Sequence, residues 1–146
     1  MTNRVLVLRK LALLRERVAQ ARARRPPSAS TLRSDALLLD ALSLSVLVAV
    51  QEAIDVAFHV CADEGWGVPA SYAESFDLLA KHRVIDEPLA RTMAAAAGLR
   101  NRIGHAYATL DTERLWNELP EGLDALDRFA ESVARLAGDE DGDAAG

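Results

Sequence analysis

One short segment, residues 100–107, concentrates side chains that can carry out acid–base and phosphate chemistry. Arg100, Asn101, His105 and Tyr107 all fall within it. On an α-helix, Asn101 and His105 share a face as i, i+4 neighbours, and the spacing of seven residues places Arg100 and Tyr107 on nearly one face. A helix over these residues can therefore present a guanidinium, an amide, an imidazole and a phenol to one cleft.

These side chains suit the cleavage of an RNA phosphodiester. A histidine can accept the proton of the 2′-hydroxyl or protonate the leaving 5′-oxygen at neutral pH. Arg100 can pair its donors with the charge of the transition state, and Asn101 can orient His105 or the phosphate. The 2′-hydroxyl supplies the nucleophile, so this chemistry needs no metal. One histidine does not readily act as both acid and base, whereas two copies of the chain would supply both.

The residues alone leave structural alternatives open. A histidine at the end of a helix often caps carbonyl groups, and this explanation also fits His105. Glu52, Asp55 and His59 lie near one face of a long predicted helix, where the two acids can orient Arg100 or simply form ion pairs with it. A catalytic site, a non-catalytic binding module and a structural helical dimer with Arg100 in a buried ion pair all fit this pattern.

The elements that must position these residues are predicted to be helices. Leu, Ala and Val are abundant, aromatic residues make up 5% of the chain, and cap residues and prolines mark the helix ends. The predicted helices span residues 3–24, 31 or 35 to 63, a short stretch from Ser71, a stretch from Asp86 toward His105, and 111–137, which Pro120 and Gly122 kink or split. The sequence thus predicts an all-α fold, an antiparallel four- to five-helix bundle.

The second predicted helix begins with a stretch, 36–50, that is apolar nearly all round. Such a helix must be covered on more than one side, which predicts a homodimer. The stretch is interrupted by Asp40 and is shorter than the roughly 20 residues that cross a bilayer, so no membrane association is expected. The single cysteine, Cys61, favours a reducing compartment, and we expect a cytoplasmic protein.

The chain divides by charge into a basic beginning and an acidic remainder. Residues 1–34 hold nine basic residues and one acid (+8), and the rest holds eight basic residues and 21 acids (−13), for a net charge of −5. The basic helix can meet RNA phosphates or form an ordinary solvated face. Residues 1–137 are predicted to form one domain, and 138–146 a disordered acidic tail. No cofactor loop or zinc spacing is present, so neither a metal nor a cofactor is predicted.

The pattern Arg100-Asn101-x-x-x-His105-x-Tyr107 resembles the Arg-x4-His-x-Tyr motif of the HepT-like ribonuclease toxins, which are HEPN domains. The segment from Glu52 to His59, the segment 71–79 and the helix led by Asp111 resemble that family as well. The resemblance extends over residues 1–137 in order and spacing.

The resemblance implies a homodimeric HEPN-type bundle that is the toxin of a toxin–antitoxin pair. It implies a metal-independent endoribonuclease with Arg100 and His105 as catalytic pair and Asn101 as polar helper at a dimer cleft. It also implies a minimal nucleotidyltransferase antitoxin, of the MntA type, that neutralises the toxin by adding AMP to Tyr107. The alternative is a non-catalytic HEPN module that binds nucleotide or such a partner. Gly104 departs from the family, because many relatives have a bulky apolar residue before the histidine.

Overall fold

The computed structural model describes the backbone of residues 3–145 and the side chains of residues 3–138. It is built of helices, with no strand among the described residues, so the all-α prediction is confirmed. The helices are α1 (Arg4–Arg24), α2 (Ala29–Ser34), α3 (Ala36–Asp63), α4 (Tyr72–Lys81), α5 (Glu87–His105) and α6 (Thr112–Ala145), with a 3₁₀ turn at Tyr107–Thr109.

The predicted N-caps lie where the sequence placed them. Ser71 accepts the backbone N–H of Glu74 at 3.1 Å, and Asp86 accepts that of Leu89 at 2.8 Å. Asp111 likewise accepts from the N–H of Arg114 at 3.0 Å. Each cap satisfies a donor that the first helical turn leaves without a backbone partner.

Of the two predicted starts of the second helix, Asp35 is the one observed. Asp35 has extended dihedrals (φ −116°, ψ 93°), so it caps α3, and the residues before it form a separate short helix, α2. The helix α6 is continuous through Pro120, so the predicted split is wrong. Leu119 and Leu123 are both 2% exposed, and their burial offsets the backbone hydrogen bond that proline removes. The helix α6 continues to Ala145 and so includes most of the predicted tail, residues 138–146. The side chains after residue 138 lie outside the described residues. The disorder of the tail stays a prediction.

Polar contacts between helices show that neighbouring helices run antiparallel. The start of α1 meets the end of α3, because the Asn3 N–H donates to Asp63 at 2.8 Å. The end of α1 meets the start of α3, where Arg24 donates to Ser45 at 2.7 Å. The end of α1 also meets α6, where Arg25 donates to the carbonyl of Trp116 at 3.0 Å.

The central helix is α3, which packs against α1, α2, α4, α5 and α6. Its apolar surface is nevertheless incompletely covered, because Leu37 is 82% exposed and Leu44 is 54% exposed. By length and composition α3 could also cross a membrane, a property that the central helices of soluble bundles share. On the other side of the core, the rings of Phe76 and Phe129 meet edge to face at 5.7 Å, both fully buried.

Candidate active site

The chemistry-bearing segment lies along α3, because α5 runs antiparallel to that helix. Arg100 meets Gln51, Gly104 lies near Leu47, and Tyr107 reaches Asp40. Going forward along α5 therefore means going backward along α3. The exposed side chains in the first half of α3, Leu37, Asp40 and Leu44, and the motif residues beside them form one surface, which we call the α3/α5 face.

Arg100 is held by two neutral amides. Its Nε donates to Oε1 of Gln51 at 2.9 Å, and its Nη1 donates to Oδ1 of Asn101 at 3.3 Å. No acid within the described part of the chain forms an ion pair with it, so the alternative in which Arg100 is a buried partner of Glu52 or Asp55 is wrong. The guanidinium has no counter-ion among the described residues, and its remaining donors can bind an anion such as a phosphate.

Gln51 is itself fixed by a chain of polar contacts that ends on α1. Its Nε2 donates to Oδ1 of Asp55 at 2.9 Å. The other oxygen of Asp55 lies 3.5 Å from Nζ of Lys10, which also lies 3.3 Å from Glu52. Asp55 thus supports Arg100 through Gln51, whereas Glu52 contacts Lys10 and not Arg100.

Gly104 lies directly beneath the Arg100 side chain. A Cβ atom at Gly104 would lie 3.2 Å from Nη1 and 3.8 Å from Cζ of Arg100. The distance to Nη1 is tighter than ordinary van der Waals contact. The absence of a side chain at Gly104 therefore makes room for the guanidinium of Arg100.

His105 is the last residue of α5, and its side chain is exposed. It makes no hydrogen bond within the described residues, and Asn101 contacts Arg100 and not His105. The structure therefore brings Arg100 and Asn101 into contact and leaves the imidazole free to exchange a proton with a bound molecule.

Tyr107 begins the 3₁₀ turn that follows α5, and its hydroxyl donates a hydrogen bond to Asp40. Burial of the phenol, together with the hydrogen bond to Asp40 and the negative charge of that residue, raises the pKa of Tyr107. The Tyr107 residue is nevertheless 38% exposed, so a partner molecule can reach it from solvent. The phenol is protonated and oriented at neutral pH.

His59 lies apart from the motif. It lines a groove of about 510 Å³ together with Lys10, Gln51 and Asp55. It makes no hydrogen bond among the described residues and does not contact Arg100. His59 is thus adjacent to the support of Arg100, and the groove continues the α3/α5 face.

Two residues of the site were missed by the sequence analysis. The sequence pattern did not distinguish Gln51 from the charged residues of that helix, although Gln51 and Asp55 are i, i+4 neighbours and can bond to each other. Asp40 was noted only as an interruption of an apolar stretch. Asp40 is exposed, so a single acid in an otherwise apolar stretch indicated a position on the outer surface of α3, and that was the available signal.

The basic residues of α1 are largely engaged within the chain. Arg22 pairs with Asp124 and Asp127 of α6, and Lys10 pairs with acids of α3. Among the described residues no three metal-ligating side chains are grouped to hold an ion. On the α3/α5 face, the positive charge of Arg100 therefore has no acidic partner among the described residues.

Known proteins resemble this chain in sequence. Residues 8–133 match the family model of the HepT-like ribonucleases. An mRNA nuclease HepT of Shewanella oneidensis is 28% identical over 104 residues, which are 71% of this chain and 78% of that protein. A tRNA nuclease HepT of Aphanizomenon flos-aquae is 32% identical over 83 residues, 57% of this chain and 56% of that protein.

Solved structures resemble it in fold. A tri-AMPylated HEPN toxin of Shewanella oneidensis in complex with its MNT antitoxin has a TM-score of 0.81 at 24% identity, covering 91% of this chain and 98% of that one. A cytosolic Bacillus subtilis protein of unknown function, YutE, also has a TM-score of 0.81, at 16% identity and with 95% of this chain and 93% of that one covered. With the family model matching residues 8–133, the chain belongs to the HepT-like ribonuclease family and has the fold of the HEPN toxins.

Proposed function

We propose that this protein is the toxin of a toxin–antitoxin pair, a metal-independent endoribonuclease in the cytoplasm. The observation that carries the proposal is the setting of Arg100, which is held by the amides of Gln51 and Asn101 and has no acidic partner among the described residues. An arginine fixed this way is prepared to bind a phosphate. The exposed imidazole of His105 lies five residues further along the same helix.

In this mechanism Arg100 binds the scissile phosphate and stabilises the charge that builds up on it. The 2′-oxygen attacks phosphorus, its proton passes to a histidine, and the bond to the 5′-oxygen breaks as that oxygen takes up a proton. The products are a 2′,3′-cyclic phosphate and a 5′-hydroxyl. Asn101 contributes by holding Arg100, a role that differs from orienting His105.

The proposed active form is a homodimer assembled through the α3/α5 face. Leu37 and Leu44 are exposed on α3 beside the motif, and a second copy would cover them. A twofold axis across this face would place two Arg100 and two His105 side chains around one cleft, because a twofold interface brings the same surface of each copy together. One His105 would then act as the base and the other as the acid.

The proposed partner is a nucleotidyltransferase antitoxin that transfers AMP to Tyr107. The structural relative from Shewanella oneidensis is itself AMPylated and bound to such an antitoxin. A phosphodiester on Tyr107 would place negative charge close to Arg100, where it would occupy the phosphate site and repel RNA. The partial exposure of Tyr107 fits that role.

The reaction type is tested by incubating the purified chain with RNA in EDTA and identifying the product ends. We expect unchanged cleavage in the chelator and 2′,3′-cyclic phosphate ends, because the nucleophile belongs to the substrate. Loss of cleavage in EDTA with recovery in Mg²⁺ would contradict the proposed mechanism. An RNA that stays intact while a nucleotidyltransferase still binds would favour the non-catalytic module.

Replacement of Gly104 by alanine is expected to slow RNA cleavage several-fold while making the protein slightly more stable. The new methyl group would displace Nη1 of Arg100 by a few tenths of an ångström, and misplaced catalytic groups lose rate. Alanine favours the helix over glycine by up to about 1 kcal/mol. Initial cleavage rates and urea denaturation measure the two effects.

The matched control is Gly98→Ala in the same helix. A Cβ atom there would meet Arg102 at 3.7 Å, an ordinary contact. This variant should gain similar stability without losing activity. Equal cleavage rates for the two variants would show that the space at Gly104 has no role in placing Arg100.

A further inference from the structure

Asp40 occupies an unusual position for an acid. It lies within the apolar first half of α3, flanked by Leu37 and Leu44 one turn away on either side. Its carboxylate accepts a hydrogen bond from the hydroxyl of Tyr107. Among the described residues, Tyr107 is the side chain that forms a hydrogen bond with Asp40, and no basic side chain forms an ion pair with it. Asp40 is exposed, so its charge is solvated, and its carboxylate is directed at a single phenol. That contact suggests a chemical role for the pair.

We propose that Asp40 is the general base for nucleotidyl transfer to Tyr107, so that the toxin supplies a catalytic residue for its own neutralisation. This inference rests on the proposed function, in which Tyr107 is the acceptor. The nucleotidyltransferase partner would bring the nucleoside triphosphate and its metal ions. The chain described here would bring both the nucleophile and the group that removes its proton.

The transfer of AMP to Tyr107 is a substitution at phosphorus. The phenolic oxygen of Tyr107 forms a bond to the α-phosphorus of the triphosphate, while the bond from that phosphorus to the bridging oxygen breaks and pyrophosphate leaves. The phenolic proton passes along the existing hydrogen bond to the Asp40 carboxylate and then to solvent. No oxidant or reductant takes part.

The surroundings of the phenol support this assignment. Burial and Asp40 raise the pKa of Tyr107, so the hydroxyl does not ionise by itself at neutral pH and needs a base. Ser43 acts in the opposite direction and lowers the pKa of the phenol. This effect is that of a hydroxyl close enough to donate to the phenol oxygen, and the buried Ser43 hydroxyl has no other hydrogen-bond partner among the described residues, so it can donate to the phenolate as the proton leaves.

The product would also no longer fit its starting position. An esterified Tyr107 cannot donate a hydrogen bond, and its phosphodiester carries the same sign of charge as Asp40. The modified side chain would be repelled from Asp40 and attracted to the guanidinium of Arg100, which lies along the same face. By repelling the AMP group, Asp40 would thereby direct it toward the guanidinium of Arg100, where the RNA phosphate is proposed to bind.

The test measures the initial rate of AMP incorporation from ATP labelled at the α-phosphate, between pH 6 and pH 9.5. The wild-type chain, Asp40→Asn and the control Asp77→Asn are each mixed with the nucleotidyltransferase that modifies the wild type. Asp77 is an exposed acid on α4 and has no described partner. Circular dichroism confirms that all three chains are folded.

We expect Asp40→Asn to incorporate AMP at least tenfold more slowly at pH 7 and to regain rate steeply with rising pH, as free phenolate forms. Asparagine can still accept the hydrogen bond but cannot take up the proton. Loss of the Asp40 charge also lowers the pKa of Tyr107, so the variant forms free phenolate at a lower pH than the wild type would. An unchanged rate, or a slower rate whose pH dependence parallels the wild type, would overturn the role of Asp40 as base. A wild-type chain that takes up no label at Tyr107 would overturn the proposed neutralisation itself.

Discussion

Replacement of His105 by alanine is expected to reduce RNA cleavage by about a hundredfold to ten-thousandfold, the usual contribution of a general acid or base. In the proposed dimer both the base and the acid are His105, so one substitution removes two proton-transfer groups. The side chain is exposed and has no partner among the described residues, so its loss should leave the fold intact. Cleavage of a labelled RNA by purified wild type and variant measures the effect.

The matched control for this prediction is His82→Ala. His82 is also exposed and at a helix end, where it stacks on Trp66 with 3.9 Å between ring centroids. It lies outside the α3/α5 face, so its variant should cleave at the wild-type rate. In cells, expression of the wild type and of His82→Ala should arrest growth, and expression of His105→Ala should not. Equal cleavage by folded His105→Ala and wild type would remove His105 from the mechanism.

Replacement of Phe129 by alanine is expected to lower the free energy of unfolding by about 3–5 kcal/mol. Phe129 is fully buried and packs edge to face against Phe76, so the substitution opens a cavity between α4 and α6 and removes an aromatic pair. A loss of this size is a large part of the stability of a typical domain. Urea denaturation followed by circular dichroism measures it.

The control here is Val68→Ala, in the loop before α4. Val68 is 87% exposed, so truncating it should change the free energy of unfolding by less than about 0.5 kcal/mol. Similar midpoints for the two variants would mean that the packing around Phe129 contributes little. The comparison separates burial from the mere loss of an apolar side chain.

Most of the fold was predictable, because the helix starts are marked by capping residues in the local sequence. Ser71, Asp86 and Asp111 each cap a helix as their side-chain chemistry predicts. The sequence left Thr31 and Asp35 open as starts of the second helix, because an aspartate can cap a helix or lie inside a continuing one. The extended backbone of Asp35 selects the later start. The continuity of α6 through Pro120 depends on the buried neighbours Leu119 and Leu123, which propensity does not contain.

The candidate site was only partly predictable. The residue types of the motif indicated the chemistry, yet their partners depend on the register of α5 against α3, which no local pattern encodes. An i, i+3, i+7 face suggested Glu52 as a support for Arg100, whereas the helix packing presents Gln51. Asp40 and Tyr107 are 67 residues apart, and only the folded chain brings them together.

The exposed leucines of α3 have a consequence for how activity depends on the concentration of the protein. Leu37 and Leu44 share their helix with Asp40 and Gln51, so the surface that would join two copies also carries the supports of the site. Below the dissociation constant of the proposed dimer, the number of complete clefts would rise with the square of the chain concentration. Stray single copies would then be nearly harmless, and damage would set in abruptly once the protein accumulates beyond what its partner can modify.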